Sequence, residues 1–312
     1  MTIESKLTRF RAFQLGNAGS SFSYFNGNQF TLIEARYNQT NAPSIDSEMK
    51  ICGVTELSEL HITSWDQDHC AASQLEDIIE KLEPKKIEYP GYSPHTKNGK
   101  ACLSIINDFK KNRKAVAVTP TYIAGLNKSE DYGYKDILYH PKLLSDDSAN
   151  DNSTIKLFRS GSVNVLSLGD VESTQISSSI KSYRSIKNEV DVMILAHHGA
   201  DNGFTTSSFL KAVRPQIAIA SADYANQFAH PKQAIRDLLH KNKIQLFTTK
   251  TGDVVIFSTG SHTGDYRLDN LKSGSSDVSS SYDFTSKKKH YLGVNQDTLR
   301  DRINRNNRGP RR

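Results

Sequence analysis

The chain has 312 residues, 36% of them apolar, and a formal net charge of +6. This length suits one large α/β domain, alone or followed by a tail. There is no run of about 18 apolar residues, so the sequence predicts no membrane-spanning helix. The first ten residues lack the apolar stretch of a secretory signal, and the three cysteines are scattered. We therefore expect a cytoplasmic, reducing location without a disulfide framework.

Short strands dominate the first part of the chain. Apolar and polar residues alternate in three stretches that glycines separate, which is typical of a strand meander. The predicted elements are strands at 10–15, 21–25, 30–34 and 59–63, helices at about 71–82 and 100–112, and strands at 115–118 and 136–139.

Strands and helices alternate in the later part, after a polar loop at 145–153. The predicted elements are paired strands at 154–158 and 163–168, a helix at 173–186, a strand at 190–195, a helix at 207–213, a strand at 216–220, a helix at 231–240 and a hairpin at 247–257. This order fits an α/β fold, a four-layer αββα sandwich over residues 1–260, although periodicity alone does not separate it from other α/β folds.

The end of the chain differs in composition. Seven of the fourteen residues 273–286 are serine, so we predict a linker over 261–286 because such a segment buries little apolar surface. Residues 287–312 contain nine Lys or Arg against two Asp and carry +7, which leaves −1 for residues 1–286. We predict that this basic tail contacts nucleic-acid phosphates; a solvated tail or an acidic protein partner are the alternatives. The candidate contacts are Lys287, Lys288, Lys289, Arg300, Arg302 and Arg305.

Acidic residues follow two of the predicted strands. Asp66, Asp68 and His69 lie within four residues after the strand at 59–63, and carboxylates and imidazoles bind divalent cations well. Asp170 follows the strand at 163–168, just before a helix. Taken singly, the group at 66–69 fits a solvated polar turn, and Asp170 fits a helix N-cap.

Histidines follow two later strands. His197 and His198 are adjacent and follow the apolar strand at 190–195, and His230 precedes Pro231 at the start of a helix. The adjacent pair fits a ligand beside its supporting neighbour, or equally one core and one surface histidine. A single histidine such as His230 is usually a surface residue.

The order of these motifs carries more information than each one. D-x-D-H at 66–69, N-x-N-S at 150–153, L-x-L-G-D at 166–170, H-H-G at 197–199 and His-Pro at 230–231 together resemble the metallo-β-lactamase superfamily. The similarity is to its ComEC-like branch, the hydrolase domain of a DNA-uptake protein family, and it covers about residues 8–258.

The resemblance implies a metallo-β-lactamase fold with one or two divalent cations, Zn or Mn, with Mg as a further option. The implied metal ligands are Asp66, Asp68, His69, Asp170, His197, His198 and His230, without a choice between His197 and His198. Asp68 or Asp66 would orient the attacking water, and His198 or its neighbour would act on the phosphate or the leaving group. The chain departs from the family pattern at Ser64, where a ligand histidine is usual, and at Gln14 and Glu34, where Asp is common.

The resemblance favours a metal-dependent phosphodiester hydrolase, specifically a nuclease acting on DNA and a candidate effector of a bacterial antiviral defence system. One alternative is a hydrolase of small phosphodiesters or cyclic nucleotides. Another is a catalytically degenerate binding or regulatory module. The expected partners are nucleic acid and a regulatory protein, with no membrane, and the sequence leaves the oligomeric state open.

Overall fold

The computed structural model describes residues 7–126, 135–259 and 264–289. The strands in these ranges are β1 (Arg9–Ala12), β2 (Phe22–Phe25), β3 (Phe30–Ile33), β4 (Glu59–His61), β5 (Lys86–Pro90), β6 (Lys114–Val118), β7 (Ile137–His140), β8 (Ile155–Phe158), β9 (Val165–Ser167), β10 (Val192–Ile194), β11 (Ile217–Ala220), β12 (Gln245–Thr248), β13 (Val254–Thr259), β14 (Asp265–Leu271) and β15 (Val278–Thr285). The α-helices are α1 (Ala42–Ile51), α2 (Ala72–Lys81), α3 (Lys97–Phe109), α4 (Pro120–Leu126), α5 (Thr174–Ile180), α6 (Arg184–Glu189), α7 (Ser207–Val213) and α8 (Gln233–Lys241).

The strands form two sheets. The first has nine strands in the order β15-β14-β13-β1-β2-β3-β4-β5-β6, antiparallel from β15 to β3 and parallel from β3 to β6. The second has six strands in the order β12-β11-β10-β9-β8-β7, and β9 to β12 are parallel. The parallel strands direct their carboxyl ends to one edge of each sheet, where connecting loops can meet.

Apolar residues fill three layers. Phe10 and Tyr24 of the first sheet pack with Val165 and Ile194 of the second. A separate cluster joins the outer face of the first sheet to α1, α2 and α3, and another joins the outer face of the second sheet to α5, α6, α7 and α8. Alternate strand residues thus face opposite layers. The predicted four-layer αββα sandwich is confirmed. None of the helices in the described ranges combines the length and hydropathy needed to cross a bilayer.

Two predicted elements differ in the structure. The helix predicted at 173–186 is divided into α5 and α6, which a turn at 181–183 separates. The predicted hairpin at 247–257 is wrong, because β12 joins the second sheet and β13 the first. A short 3-10 turn, Thr249–Thr251, carries the chain from one sheet to the other.

The predicted serine-rich linker over 261–286 is wrong for its described part, since β14 and β15 extend the first sheet there. Tyr266 and Leu268 alternate along β14 and are fully buried against the inter-sheet core. Phe284 of β15 stacks on Tyr266, with ring centroids 5.4 Å apart. β15 is an exposed edge strand in which Ser280 and Phe284 are half-buried, so the high serine content concealed a strand that pairs with β14. The folded unit continues past residue 260 to Lys289.

The three lysines predicted to contact nucleic acid are engaged within the fold. The ammonium of Lys288 is buried and donates hydrogen bonds to the carbonyls of Arg159 and Gly161. Lys287 donates its Nζ to the carbonyl of Val213. Because the ammonium of Lys288 is buried and bonded to these two carbonyls, Lys288 cannot contact a phosphate. Lys289 is exposed and pairs with Asp265. Arg300, Arg302 and Arg305 lie outside the described residues.

Candidate metal centre

Loops from both sheets meet at one edge of the sandwich. The segment 62–70 follows β4 of the first sheet, while Asp170 follows β9 and the residues 195–199 follow β10 of the second sheet. A hydrogen bond from the amide of Thr154 to the carbonyl of Thr63 joins the two sets of loops. Residues far apart in the chain therefore face a common point.

Four predicted ligands converge there. The ligand atoms of Asp68, His69, Asp170 and His198 all lie within 4.8 Å of one another. His69 Nε2 is 2.9 Å from Asp170 Oδ2, and His198 Nε2 is 3.2 Å from Asp68 Oδ2 and 3.9 Å from Asp170 Oδ2. We call these four residues the metal cluster.

The metal cluster fits a divalent cation. His69 Nε2 is buried and forms no hydrogen bond despite its short distance to Asp170, so the two atoms face a shared point without donating to each other. Two imidazoles and two carboxylates form a donor set that suits Zn or Mn. A cation at this point would satisfy the unpartnered nitrogen.

Glu34 orients His69 from behind. Its Oε1 is 3.1 Å from His69 Nδ1, and its carboxylate accepts hydrogen bonds from the amide and hydroxyl of Thr63. Glu34 is buried and its backbone is left-handed, with φ of +71°, a strained state that the surrounding structure must impose. Such a carboxylate behind an imidazole ligand fixes the ring and raises its basicity. In the sequence Glu34 stands out only as a departure from the family pattern, although an acid at the end of an apolar strand was the available signal.

Electrostatics keep the cluster carboxylates ionised. Burial alone would raise the pKa of Asp68, but His69 and His198 outweigh it and lower that pKa. The pKa of Asp170 is likewise lowered, because the same two imidazoles outweigh its burial. Both carboxylates are thus ionised in the metal-free site.

The histidine pair adopts a strained turn that separates the roles of its members. His197 and His198 both have left-handed backbones, with φ of +46° and +53°, which is costly for residues other than glycine. His198 donates Nδ1–H to the carbonyl of Ser221, at 3.0 Å, leaving Nε2 as the ligand atom. His197 instead places Nδ1 2.6 Å from Glu172 Oε1. Both histidines thus keep Nε2 free of these contacts, but only the ligand atom of His198 lies within 4.8 Å of those of Asp68, His69 and Asp170.

The other three predicted ligands surround the metal cluster without joining it. Asp66 Oδ2 is 3.2 Å from the hydroxyl of Ser64, which is also 3.3 Å from the hydroxyl of Tyr92. The ring of His230 lies 5.8 Å from that of His197, measured between centroids. Burial, with the nearby His198 and His197, lowers the pKa of His230 to about 4, so this ring is neutral at pH 7. The ligand roles of Asp66, His197 and His230 stay predictions.

Substitutions of the two supporting glutamates separate these roles. We expect Glu34→Gln to weaken metal affinity roughly 10- to 100-fold, because His69 loses its charged partner. Glu172→Gln is the matched control and leaves affinity nearly unchanged if His197 is not a ligand. Metal titration with a competing chelator measures both variants. Equal losses in the two would contradict the assignment of His198 alone.

The fold and the metal cluster define the class: a four-layer αββα sandwich with candidate ligands for a divalent metal at one edge. No family model matches the chain. It is 23% identical over 220 residues to ComE operon protein 3 of Bacillus subtilis (strain 168), which covers 69% of this chain and 26% of that protein. It is 36% identical over 69 residues to competence protein ComA of Neisseria gonorrhoeae, covering 22% of this chain and 10% of that protein. The first similarity confirms the ComEC-like resemblance seen in the motifs.

The chain spans about a quarter or less of the length of these curated relatives. Among solved structures, it is similar to Igni18, a metallo hydrolase from Ignicoccus hospitalis, with a TM-score of 0.47 and 14% identity over 82% of this chain and 100% of that one. It is also similar to the metallo-beta-lactamase fold protein YhfI from Bacillus subtilis, with a TM-score of 0.43 and 13% identity over 79% of this chain and 98% of that one.

Proposed function

We propose that the protein is a metal-dependent phosphodiester hydrolase that acts as a nuclease on DNA. The observation that carries the proposal is the convergence of Asp68, His69, Asp170 and His198 within 4.8 Å. Two carboxylates and two imidazoles from separate loops of both sheets are held there against substantial burial cost. Such a cluster is typical of a catalytic metal site rather than of a structural core.

The residues of the site have different roles in the proposed reaction. The metal cluster would hold one divalent cation, which would supply Lewis-acid activation of water and of a phosphoryl oxygen. Asp68 within the metal cluster and Asp66 next to it are both partly exposed, and one of these carboxylates would accept a hydrogen bond from the attacking water and so orient the water. His197, partly exposed and supported by Glu172, gives a proton to the oxygen that leaves phosphorus as the P–O bond breaks. Asp170 and Glu34 are buried and act by positioning.

DNA is the proposed substrate because of the relatives. One is named a ComE operon protein and the other a competence protein, and the sequence motifs resemble the branch that acts in DNA uptake. The antiviral role and the cytoplasmic location stay predictions from the sequence. The serine at position 64, which is hydrogen-bonded to Asp66 and Tyr92, favours a single-cation site over a pair.

Metal analysis combined with a substrate panel tests the proposal. The purified chain is assayed with added Mn²⁺, Mg²⁺ or Zn²⁺ on plasmid DNA, single-stranded DNA, RNA and bis(p-nitrophenyl) phosphate, with a chelator control. Chelator-sensitive DNA cleavage is the expected result. Turnover of the small diester alone would instead identify the small-phosphodiester hydrolase. Absence of both bound metal and turnover would overturn the proposal and favour a binding module.

A further inference from the structure

A solvent-facing loop with large aromatic side chains adjoins the metal cluster. It connects β11 to α8 over residues 221–232. Tyr224 is 76% exposed and Phe228 is 54% exposed. Exposed aromatic rings beside a candidate nuclease site are the side chains on which nucleic-acid bases stack.

The rings form a row that leads to the metal cluster. Phe228 stacks on His230, with centroids 5.7 Å apart and ring planes 25° apart. His230 in turn stacks on His198, at 6.3 Å and 14°. The row therefore runs from solvent at Phe228 to a member of the metal cluster, with nearly parallel ring planes throughout.

The loop has a defined shape. The side chain of Asn226 accepts a hydrogen bond from the amide of His230 at 2.6 Å and donates to the carbonyls of Asp223 and His230. Ala229, next to Phe228, has a left-handed backbone with φ of +52°. These contacts hold Phe228 in place before any ligand arrives, which lowers the entropic cost of binding.

Positive charges flank the row. Lys232 is the last residue of the loop and interacts electrostatically with His230. Arg236 donates its Nε to the carbonyl of Pro231, at 2.9 Å, and Lys250 interacts electrostatically with Arg236. Lys232 and Arg236 are exposed. Aromatic rings flanked by cations are the combination that binds unpaired nucleic-acid strands, since bases stack on rings and phosphates pair with cations.

We propose that Phe228 and Tyr224 stack on unpaired bases of a nucleic-acid strand whose scissile phosphate lies at the metal cluster, with Lys232, Arg236 and Lys250 contacting its flanking phosphates. The inference rests on the proposed function and narrows its substrate to single-stranded or locally opened strands. Phe228 and Tyr224 are substrate-positioning residues, because they act on bases and not on the reacting atoms. A strand end placed on this row reaches the cluster along the stacked histidines.

Binding measurements on full-length protein test the inference. Fluorescence anisotropy follows a labelled phosphorothioate oligothymidylate, which resists hydrolysis, and the same backbone without bases. We expect Phe228→Ala to weaken binding of the oligothymidylate about tenfold, the effect of one lost base stack. Phe228→Trp retains affinity. Tyr282→Ala, a control at an exposed aromatic on β15, also retains it.

The strand without bases gives the decisive comparison. Wild type and Phe228→Ala should bind it equally, since only phosphate contacts remain. Unchanged oligothymidylate affinity in both Phe228→Ala and Tyr224→Ala would overturn the inference, and so would an equal loss on the strand without bases. If the protein cleaves DNA but the substitutions have no base-dependent effect on binding, this inference fails while the proposed function stands. A base-dependent loss in a protein that cleaves nothing supports it while overturning the proposed function.

Discussion

Asp170→Asn should abolish metal binding and lower hydrolysis by more than about a hundredfold. The Asp170 carboxylate is 2.9 Å from His69 Nε2 and 3.9 Å from His198 Nε2, so it is the acid shared by both imidazoles of the metal cluster. Loss of an outer partner alone costs roughly 10- to 100-fold, and loss of a ligand costs more. Elemental analysis of the purified variant and initial rates on the active substrate measure the two effects.

Asp201→Asn is the matched control, because Asp201 is an exposed acid in the segment after the histidine pair. We expect it to keep both metal and rate. Full metal occupancy together with full activity in Asp170→Asn would rule out the metal cluster as the catalytic centre.

Lys156→Met should lower the free energy of unfolding by about 3–5 kcal/mol, the usual cost of removing one partner from a buried ion pair. Lys156 lies on β8 of the second sheet and is buried between the sheets. Its ammonium contacts Glu59 of β4 and, at 2.7 Å, Glu88 of β5. Without it, Glu88 keeps only the partly exposed Lys86 and the neighbouring His61 as partners. Urea unfolding followed by circular dichroism measures the change.

Lys85→Met is the matched control at an exposed pair, since Lys85 and Glu56 are largely solvent-accessible. Exposed pairs contribute about 0–1 kcal/mol, so a loss equal to that of Lys156→Met would contradict the argument from burial. Restoration of stability on adding Glu88→Gln to Lys156→Met would support it.

The same network sets a pH dependence of stability. Burial alone would raise the pKa of Glu88, but Lys156 and His61 outweigh burial and hold that pKa well below its usual value. A carboxylate whose folded pKa is lowered stabilises the fold above its unfolded pKa of about 4.3 and loses this contribution as pH falls. The wild type should therefore lose more stability below pH of about 4 than Lys156→Met does. Parallel curves for the two proteins would contradict this linkage.

The site was partly readable in the sequence because its residues follow apolar strands. Asp68, His69 and Asp170 lie in loops that follow strands. The carboxyl ends of these strands lie at one edge of the sandwich, an arrangement that the strand-loop pattern implies. Glu34 was missed as a positioning residue because nothing local links it to His69, thirty-five positions later. Phe228 and Tyr224 gave no signal because exposure is a property of the folded loop.

Near the end of the chain, amino-acid composition led to a wrong structural prediction. Serine content indicated a linker, whereas Tyr266 and Leu268 supply a buried face for β14, and the half-buried Phe284 of β15 stacks on Tyr266. Likewise, the lysines at 287–289 look available by charge alone. Lys288 instead donates hydrogen bonds to the carbonyls of Arg159 and Gly161. These carbonyls belong to the turn between β8 and β9, which is distant from Lys288 in the sequence.

Sequence by itself determined the α/β pattern, and the order of the motifs determined the sandwich class through its resemblance to a known family, together with the set of acids and histidines near the site. Only the tertiary structure decided that His198 and not His197 joins the metal cluster, that Glu34 supports His69, and that Lys156 joins the two sheets. These outcomes depend on backbone dihedrals and on distances between loops of different sheets. Such distances arise when the layers pack, so no stretch of sequence contains them.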